Sequence, residues 1–365
     1  LRIASHMHSF EAPPDAPPRW SRRPTWRPGV NGLHRLLGKR PPDILTAAVD
    51  RWQIAPGNVV EVRPAKKLGG QLYRIRGAEF GGVAEVVRDF IGGFGAMQPP
   101  TMGYRLKNVL LTDGVLYAGD AVRHLQRRST RLPVHLVPHD LLDAVLYESW
   151  LGNRWFGNWL SDDCLTHDLA AYCGRPFTAR AASGHMTAYE RALGMHPLRR
   201  ASARFAELIL FDDQSHNDHK RQRADLLRLR LTGGRIDRHP GIFLLRRRSG
   251  APRVLANEQA IAERLAVKRG FTILDPSTAS LEEIVRLCGG ASVVAGVEGS
   301  HLVHGLAVMP PDARAFVIQP PDRAVSALKR LTDRQGQDYS MLVGVGTHEA
   351  FIVDGDEVER TLDLA

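Results

Sequence analysis

Four arginines, Arg246, Arg247, Arg248 and Arg253, follow the short apolar run Ile242-Phe243-Leu244-Leu245. Further on, the glycine-bracketed stretch Gly296-Val297-Glu298-Gly299-Ser300-His301 leads from an apolar segment into a helical one. Arginines beside a strand–glycine–helix junction are what a parallel-sheet protein uses to hold a phosphate or diphosphate. The same glycines would serve equally as turn punctuation, and it is the nearby arginines that favour an anion site.

A second constellation is Gly152-Asn153-Arg154-Trp155-Phe156-Gly157-Asn158-Trp159-Leu160-Ser161-Asp162-Asp163. Aromatic faces stack on sugar rings and amides bond hydroxyls, so Trp155, Asn158 and Trp159 are candidates for contacting a saccharide. Asp162 or Asp163 could then deprotonate a hydroxyl. The plainer alternative is a helix start with its tryptophans in the core. Asp212, Asp213, His216, Asp218 and His219 fit no strong metal-ligand spacing and read as a solvated loop after a strand. His301 and His304 lie one helical turn apart, facing either a donor or solvent. Asp354-Gly355-Asp356 resembles the D-x-D of metal-dependent sugar transferases, but its polar surroundings suggest a hairpin turn.

The elements that must position these groups alternate between strand and helix. Ile242 to Leu245 reads as a strand. Asn257 is the expected cap of a helix reaching Arg269 and stopping at Gly270. Phe271 to Leu274 is the next strand, and Ser280 with Glu283 has capping-box spacing for a helix ended by Gly289 and Gly290. Ser292 to Ala295 is a third strand, and Gly299-Ser300 opens a third helix. Such alternation predicts a parallel sheet with crossover helices. Upstream, Lys107 to Tyr117 reads as a hairpin about Asp113-Gly114. Residues His139 to Cys173 read as helical, Phe205 to Phe211 as a strand and Lys220 to Leu231 as a basic helix. From Ser340 to Leu364 the alternation is strand-like.

With 365 residues and 43% hydrophobic content, the chain can bury sizeable cores and suggests two domains or one large one. No apolar run approaches the roughly 20 residues of a membrane span. The three cysteines are too few and too scattered for a disulfide framework, so a reducing, cytoplasmic setting is expected. A net charge of +10 favours anionic partners: nucleotide-linked substrates, acidic lipid head groups or nucleic acid. Residues 1–56 are rich in Pro and Arg and read as a tail or wrapping arm, with Trp20 and Trp26 expected to pack on the body rather than rest on a membrane. Ser5-His6-Met7 resembles an expression-vector remnant, which leaves residues 1–6 of uncertain origin.

These residues resemble glycosyltransferase family 61, in particular its bacterial members associated with capsular polysaccharide biosynthesis. Arg246, Arg253 and Asn257-Glu258 resemble the family's strand-end arginine and R-x-x-x-N-E element. Gly270-Phe271 through Glu283 resembles its G-F element and acidic helix, and Gly296 to Leu302 its glycine-bracketed turn. Asn158-Trp159-Leu160-Ser161-Asp162 resembles its H-W-L-x-E/D pattern more weakly. The resemblance spans residues 100 to 325. Two departures stand out: Asn158 replaces a histidine, and Glu298-Gly299-Ser300-His301 stands where H-G-x-G is common.

The resemblance implies an α/β protein of GT-B type, with two Rossmann-like lobes and a cleft between them. The expected division is an arm (1–56), an acceptor-side lobe (57–200), a nucleotide-sugar lobe (201–330) and a strand-rich tail (331–365). It further implies inverting transfer from a nucleotide sugar to a saccharide or glycolipid acceptor in surface polysaccharide biosynthesis. No required metal is implied and no cofactor is expected; apart from the resemblance, the cysteine usage points to the cytoplasm, and the basic charge allows a peripheral contact at the inner membrane face. Asp162, or Asp163, would be the base, with Glu298 and His185 next in line. Arg246, Arg253, Glu298, Gly299, Ser300 and His301 would hold the donor, and Trp155, Asn158 and Trp159 the acceptor. The competing reading is a non-enzymatic binder of nucleic acid or another anionic polymer. No nucleic-acid motif of known spacing supports it, and nucleic acid is not an expected partner.

Overall fold

The computed structural model describes residues 22–364 apart from 131, 236, 248 and 249. Trp20 and Arg248 therefore lie outside the described residues.

The C-terminal half is built on five parallel strands: β1 (Gly241–Leu244), β2 (Phe271–Leu274), β3 (Val293–Val297), β4 (Arg314–Gln319) and β5 (Asp338–Val343). Their order across the sheet is 2-1-3-4-5. This is a doubly wound order, and its direction reverses between β1 and β3. The strands are short apolar runs because both sheet faces are covered. Side chains alternate along each strand. Ile242, Leu244, Val294, Val317 and Met341 join one core, while Phe243, Ala295, Phe316, Ile318 and Leu342 join the other.

The expected local signals are present. The Glu258–Arg269 helix ends at Gly270 with φ of 66°, and Ser280 Oγ accepts the Glu283 N–H at 3.1 Å. Asn257 precedes the first of these helices without capping it. Its amide instead donates to the Val353 carbonyl at 2.8 Å.

The second sheet has eight strands and is mixed. Leu198–Arg199, Pro176–Thr178, Leu141–Leu146 and Ala203–Asp212 lie parallel. Thr101–Thr112, Val115–Ala118 and Ala121–His124 continue antiparallel, and Asp50–Ala55 also pairs with Thr101–Thr112. The hairpin turns at Asp113 (φ 47°) and Gly114 (φ 70°), where a two-residue turn needs positive φ. Residues 141–146, expected to be helical, are a strand whose second half is buried. Helices Cys164–Cys173, Met186–Leu193 and Asp218–Thr232 supply residues to the core cluster that covers one face of the parallel sheet.

Residues 62–91 precede the mixed sheet's longest strand, yet dock on the parallel sheet. Lys66 N–H donates to the Tyr339 carbonyl (2.9 Å) and the Lys66 carbonyl accepts from Met341 N–H (3.0 Å). Further along, Glu79 N–H donates to Ala324 (3.2 Å). The chain end also departs from strand-like alternation: Gly355–Leu362 is a helix capped by Asp354, whose carboxylate accepts from the N–H groups of Asp356 and Glu357. Asp354-Gly355-Asp356 is thus a helix start and not a hairpin turn. At the other end, Arg22–Thr25 pairs with His135–Pro138 and leads into the Arg27–Leu36 helix. Trp26, expected to pack inward, is 64% exposed. Among the described residues no helix is long and apolar enough to cross a membrane.

Candidate active site

Open α/β sheets bind ligands beyond the carboxyl ends of their strands, at the point where strand order reverses. In this sheet that point lies between β1 and β3. Arg246 leaves β1, and Glu298-Gly299-Ser300-His301 leaves β3. The two segments touch. A Cβ on Gly299 would land on the Arg246 guanidinium, so glycine at 299 is what lets the arginine lie against the turn. Arg246 Nη1 sits 3.5 Å from His301 Nδ1, and Nη2 donates to the Ala251 carbonyl at 2.6 Å.

Burial, and then the like charge of Arg253, lower the Arg246 pKa to about 10, which leaves it charged at neutral pH. Arg253 Nε lies 2.7 Å from Glu298 Oε2. Both are buried, and burial raises the Glu298 pKa against the pull of Arg253. His301 is pushed well below the ordinary histidine range, first by loss of water and then by Arg246, and so is neutral.

The turn after β1 is held by Glu258, which sequence reasoning met only as part of a motif. Its carboxylate accepts the backbone N–H groups of Arg246 (2.7 Å) and Arg247 (2.9 Å). Arg247 has φ of 55°, a conformation that costs a non-glycine residue energy and that these two bonds sustain. The segment after β4 adds Arg323, which pairs with Glu79 and donates to the Pro252 carbonyl at 3.1 Å. Neither Glu79 nor Arg323 was singled out, because no local pattern announces that residues 76–80 reach this sheet edge.

Part of the aromatic segment meets the same edge. Gly157 packs on Ser300 and Val303, where a Cβ would come within 3.2 Å of Ser300 Oγ. Trp155 is half-buried, with Phe80 edge-on at 5.2 Å and the Arg154 guanidinium 4.3 Å from its ring. Trp159 does not face the junction of Arg246 with the Gly299 turn. It is 2% exposed, packed against Phe156 and Tyr189, and has no face left for a sugar. Asn158 donates to Asp162 Oδ2 at 3.0 Å. The Leu302–Leu306 helix has only five residues, so charge at this junction comes from the arginines more than from a helix dipole.

The paired carboxylates lie in a π-helical turn, Trp159–Asp163, in which Cys164 N–H reaches back to the Trp159 carbonyl. The extra residue in the turn helps point both carboxylates inward. Asp162 Oδ1 is 2.5 Å from Nζ of Lys220, which has no exposed surface. Burial pushes the Asp162 pKa up, but Lys220, His216 and Arg334 outweigh it and hold it near 2. Asp163 accepts from Ser149 N–H at 3.2 Å and fills the space beside Gly152. Burial raises its pKa well above the ordinary carboxylate value, against the Ser149 hydrogen bonds. Both carboxylates are buried, and Asp162 is ion-paired with Lys220.

Next to this pair, Asp213 makes a two-point contact with Arg223 (2.7 and 2.8 Å) and accepts from Thr101 and Thr166. The loop expected to be solvated therefore carries a buried carboxylate. His216 in that loop is lowered to about 3 by burial, Arg334 and Lys220.

His185 occupies a different position. Its Nε2 lies 2.9 Å from the Ala279 carbonyl, in the loop after β2, and its ring is 4.9 Å from that of His304, on the helix after β3. A carbonyl only accepts, so Nε2 is the donor in this contact. His304 itself is buried against Tyr189, whose hydroxyl is 2.8 Å from Nδ1.

The family model described as Glycosyltransferase 61 matches residues 123–316 of the chain, more than half of its length. The match takes in the π-turn, the His185 loop, β1 to β3 and both arginines of the junction. No curated protein matches the chain.

Proposed function

The chain belongs to the glycosyltransferase 61 family, and on that premise we propose that it transfers a sugar from a nucleoside diphosphate donor to a saccharide or glycolipid acceptor, with inversion, in surface polysaccharide synthesis. The observation that carries this reading is the contact of Arg246 with Gly299 and His301 at the reversal point of the parallel sheet. There the donor diphosphate would lie, met by Arg246 and Arg253. Glu298, beside Arg253, would take donor hydroxyls. The lobe around β1–β5, with residues 62–91 docked on it, is the nucleotide lobe in this proposal. The mixed sheet is the acceptor lobe of a GT-B-like pair, and Trp155 with Phe80 flanks the acceptor.

In the reaction, the acceptor hydroxyl oxygen attacks the anomeric carbon as the bond from that carbon to the diphosphate oxygen breaks. The hydroxyl proton passes to His185 Nδ1, and the nucleoside diphosphate leaves as the anion. Charge building on the leaving oxygen is stabilised by the arginines, which are already in place before reaction. Asp162 and Asp163 act in this scheme by fixing the π-turn and thereby Trp155 and Gly157.

Because the buried arginines supply the countercharge, transfer should need no divalent metal. Asp354 caps a helix and Asp356 pairs with Arg264, so the D-x-D sequence is engaged elsewhere. The test is sugar transfer from a panel of nucleotide sugars, with and without EDTA. Equal rates support the proposal. Loss in EDTA, restored by manganese or magnesium, would overturn its metal-free part, and consumption of no donor would overturn the whole.

A further inference from the structure

The Arg27–Leu36 helix is turned the wrong way for a helix packed on a protein. Pro28 is buried, and Gly29 N–H donates to the Pro133 carbonyl at 3.0 Å, which fixes the inward face. At about 100° per residue, Trp26, Val30, Leu33 and Leu37 fall within a stripe of roughly 60°, centred about 170° from buried Pro28 and reaching to about 40° from Gly29. Helical bonds run from Val30 to Trp26 and from Leu37 to Leu33, so both flanking residues belong to the stripe. These four are 64%, 43%, 57% and 65% exposed. Leu36 is exposed beside them, as are Leu132, next to Pro133, and Leu136, in register with Pro24. Apolar side chains gathered this way on an outer face mark an interaction surface.

The charge around the stripe says what it meets. Residues 22–42 hold six lysines and arginines and no acidic residue. Arg22, Arg23, Arg27, Lys39 and Arg40 are all exposed. An outward apolar stripe carrying a tryptophan, flanked along the chain by exposed cations, matches an anionic lipid surface: the side chains enter the acyl boundary while the cations meet phosphates. A protein partner would need an acidic rim of matching shape, whereas a lipid leaflet needs only this composition. We infer that the Arg27–Leu36 helix and its basic flanks form a docking surface for an anionic membrane leaflet. This does not rest on the sugar-transfer reading, since none of these residues belongs to the strand-end site.

The test is sedimentation of the full chain with vesicles of phosphatidylglycerol or of phosphatidylcholine. Binding to the anionic vesicles should be about tenfold tighter or more, and should weaken as salt rises. The pair Leu33→Glu and Leu37→Glu should cut binding about tenfold or more. Arg22→Gln with Arg23→Gln, Lys39→Gln and Arg40→Gln should remove the preference for anionic lipid. Leu226→Glu, at an exposed leucine on a different helix, should change nothing, and unchanged melting temperatures would show that the fold survives. Equal binding to both lipids, no binding, or full binding by the Leu33/Leu37 variant would overturn the inference. Self-association of the wild type that the same variant abolishes, without vesicle binding, would make the face a protein interface instead.

Discussion

Replacing Lys220 with methionine is expected to destabilise the protein by about 3–5 kcal/mol, the usual cost of leaving one charge of a buried pair alone. Lys220 has no exposed surface, and its ammonium contacts only groups that cannot move to water: Asp162 Oδ1 at 2.5 Å and the Asp213 carbonyl at 2.7 Å. Asp162→Asn should destabilise comparably, because it strands the lysine. The double variant Asp162→Asn/Lys220→Met removes both charges and should recover most of the loss, as measured by urea unfolding. The pH dependence follows from the same pair. Asp162 is depressed from 3.8 to about 2, so its contribution is complete above about pH 4 and is lost as the pH falls through 2. In the double variant that acid-sensitive part should vanish. If the double variant is as unstable as either single one, the pair is not the unit inferred.

His185→Gln should lower turnover by about 10²–10⁴-fold, the range for a positioned base. Glutamine retains an N–H for the Ala279 carbonyl but cannot take a proton at neutral pH, so donor binding and melting temperature should stay close to wild type. Turnover by the Asp162→Asn/Lys220→Met double variant supplies the comparison. If Asp162 only shapes the π-turn, that protein should keep most of its turnover once folded. Near-normal rates in His185→Gln, with loss in the folded double variant, would return the base to Asp162.

The parallel sheet was legible because its signals are local. A glycine after a helix, a serine three residues before a glutamate and short apolar runs each act within one turn. The arginine–glycine junction was legible for the same reason, since residue types at strand ends carry the chemistry of this fold. What escaped depends on distant contacts. Lys220 sits in a helix that reads in sequence only as basic, and it is Asp162 and Asp213, arriving from other segments, that give its buried ammonium partners. Trp159 and Trp155 are alike in sequence, but the π-turn sends one into the core and leaves the other half-buried against Phe80. Residues 76–80 carry no motif, and they reach the strand ends only because residues 62–91 dock on β5 and the loop after β4. Asp354 was misread because a polar turn and a helix cap draw on the same residues, and only the following Val358 and Thr361, buried on one face, distinguish them.

The claim that most needs testing is that the reversal point of the sheet holds a diphosphate. Calorimetry with uridine, guanosine and cytidine diphosphates on the wild type, Arg246→Ala and Gly299→Ala addresses it directly. Arg246→Ala removes a charge-assisted contact worth about 1.5–3 kcal/mol. Gly299→Ala leaves Arg246 in the chain but drives the guanidinium off the turn. The account predicts that the wild type binds one of these nucleotides and that both variants bind it roughly ten- to a hundredfold more weakly, with Gly299→Ala also melting lower because Gly299 has φ of 153°. Unaltered affinity in both variants, or no nucleotide binding by the wild type, would contradict it.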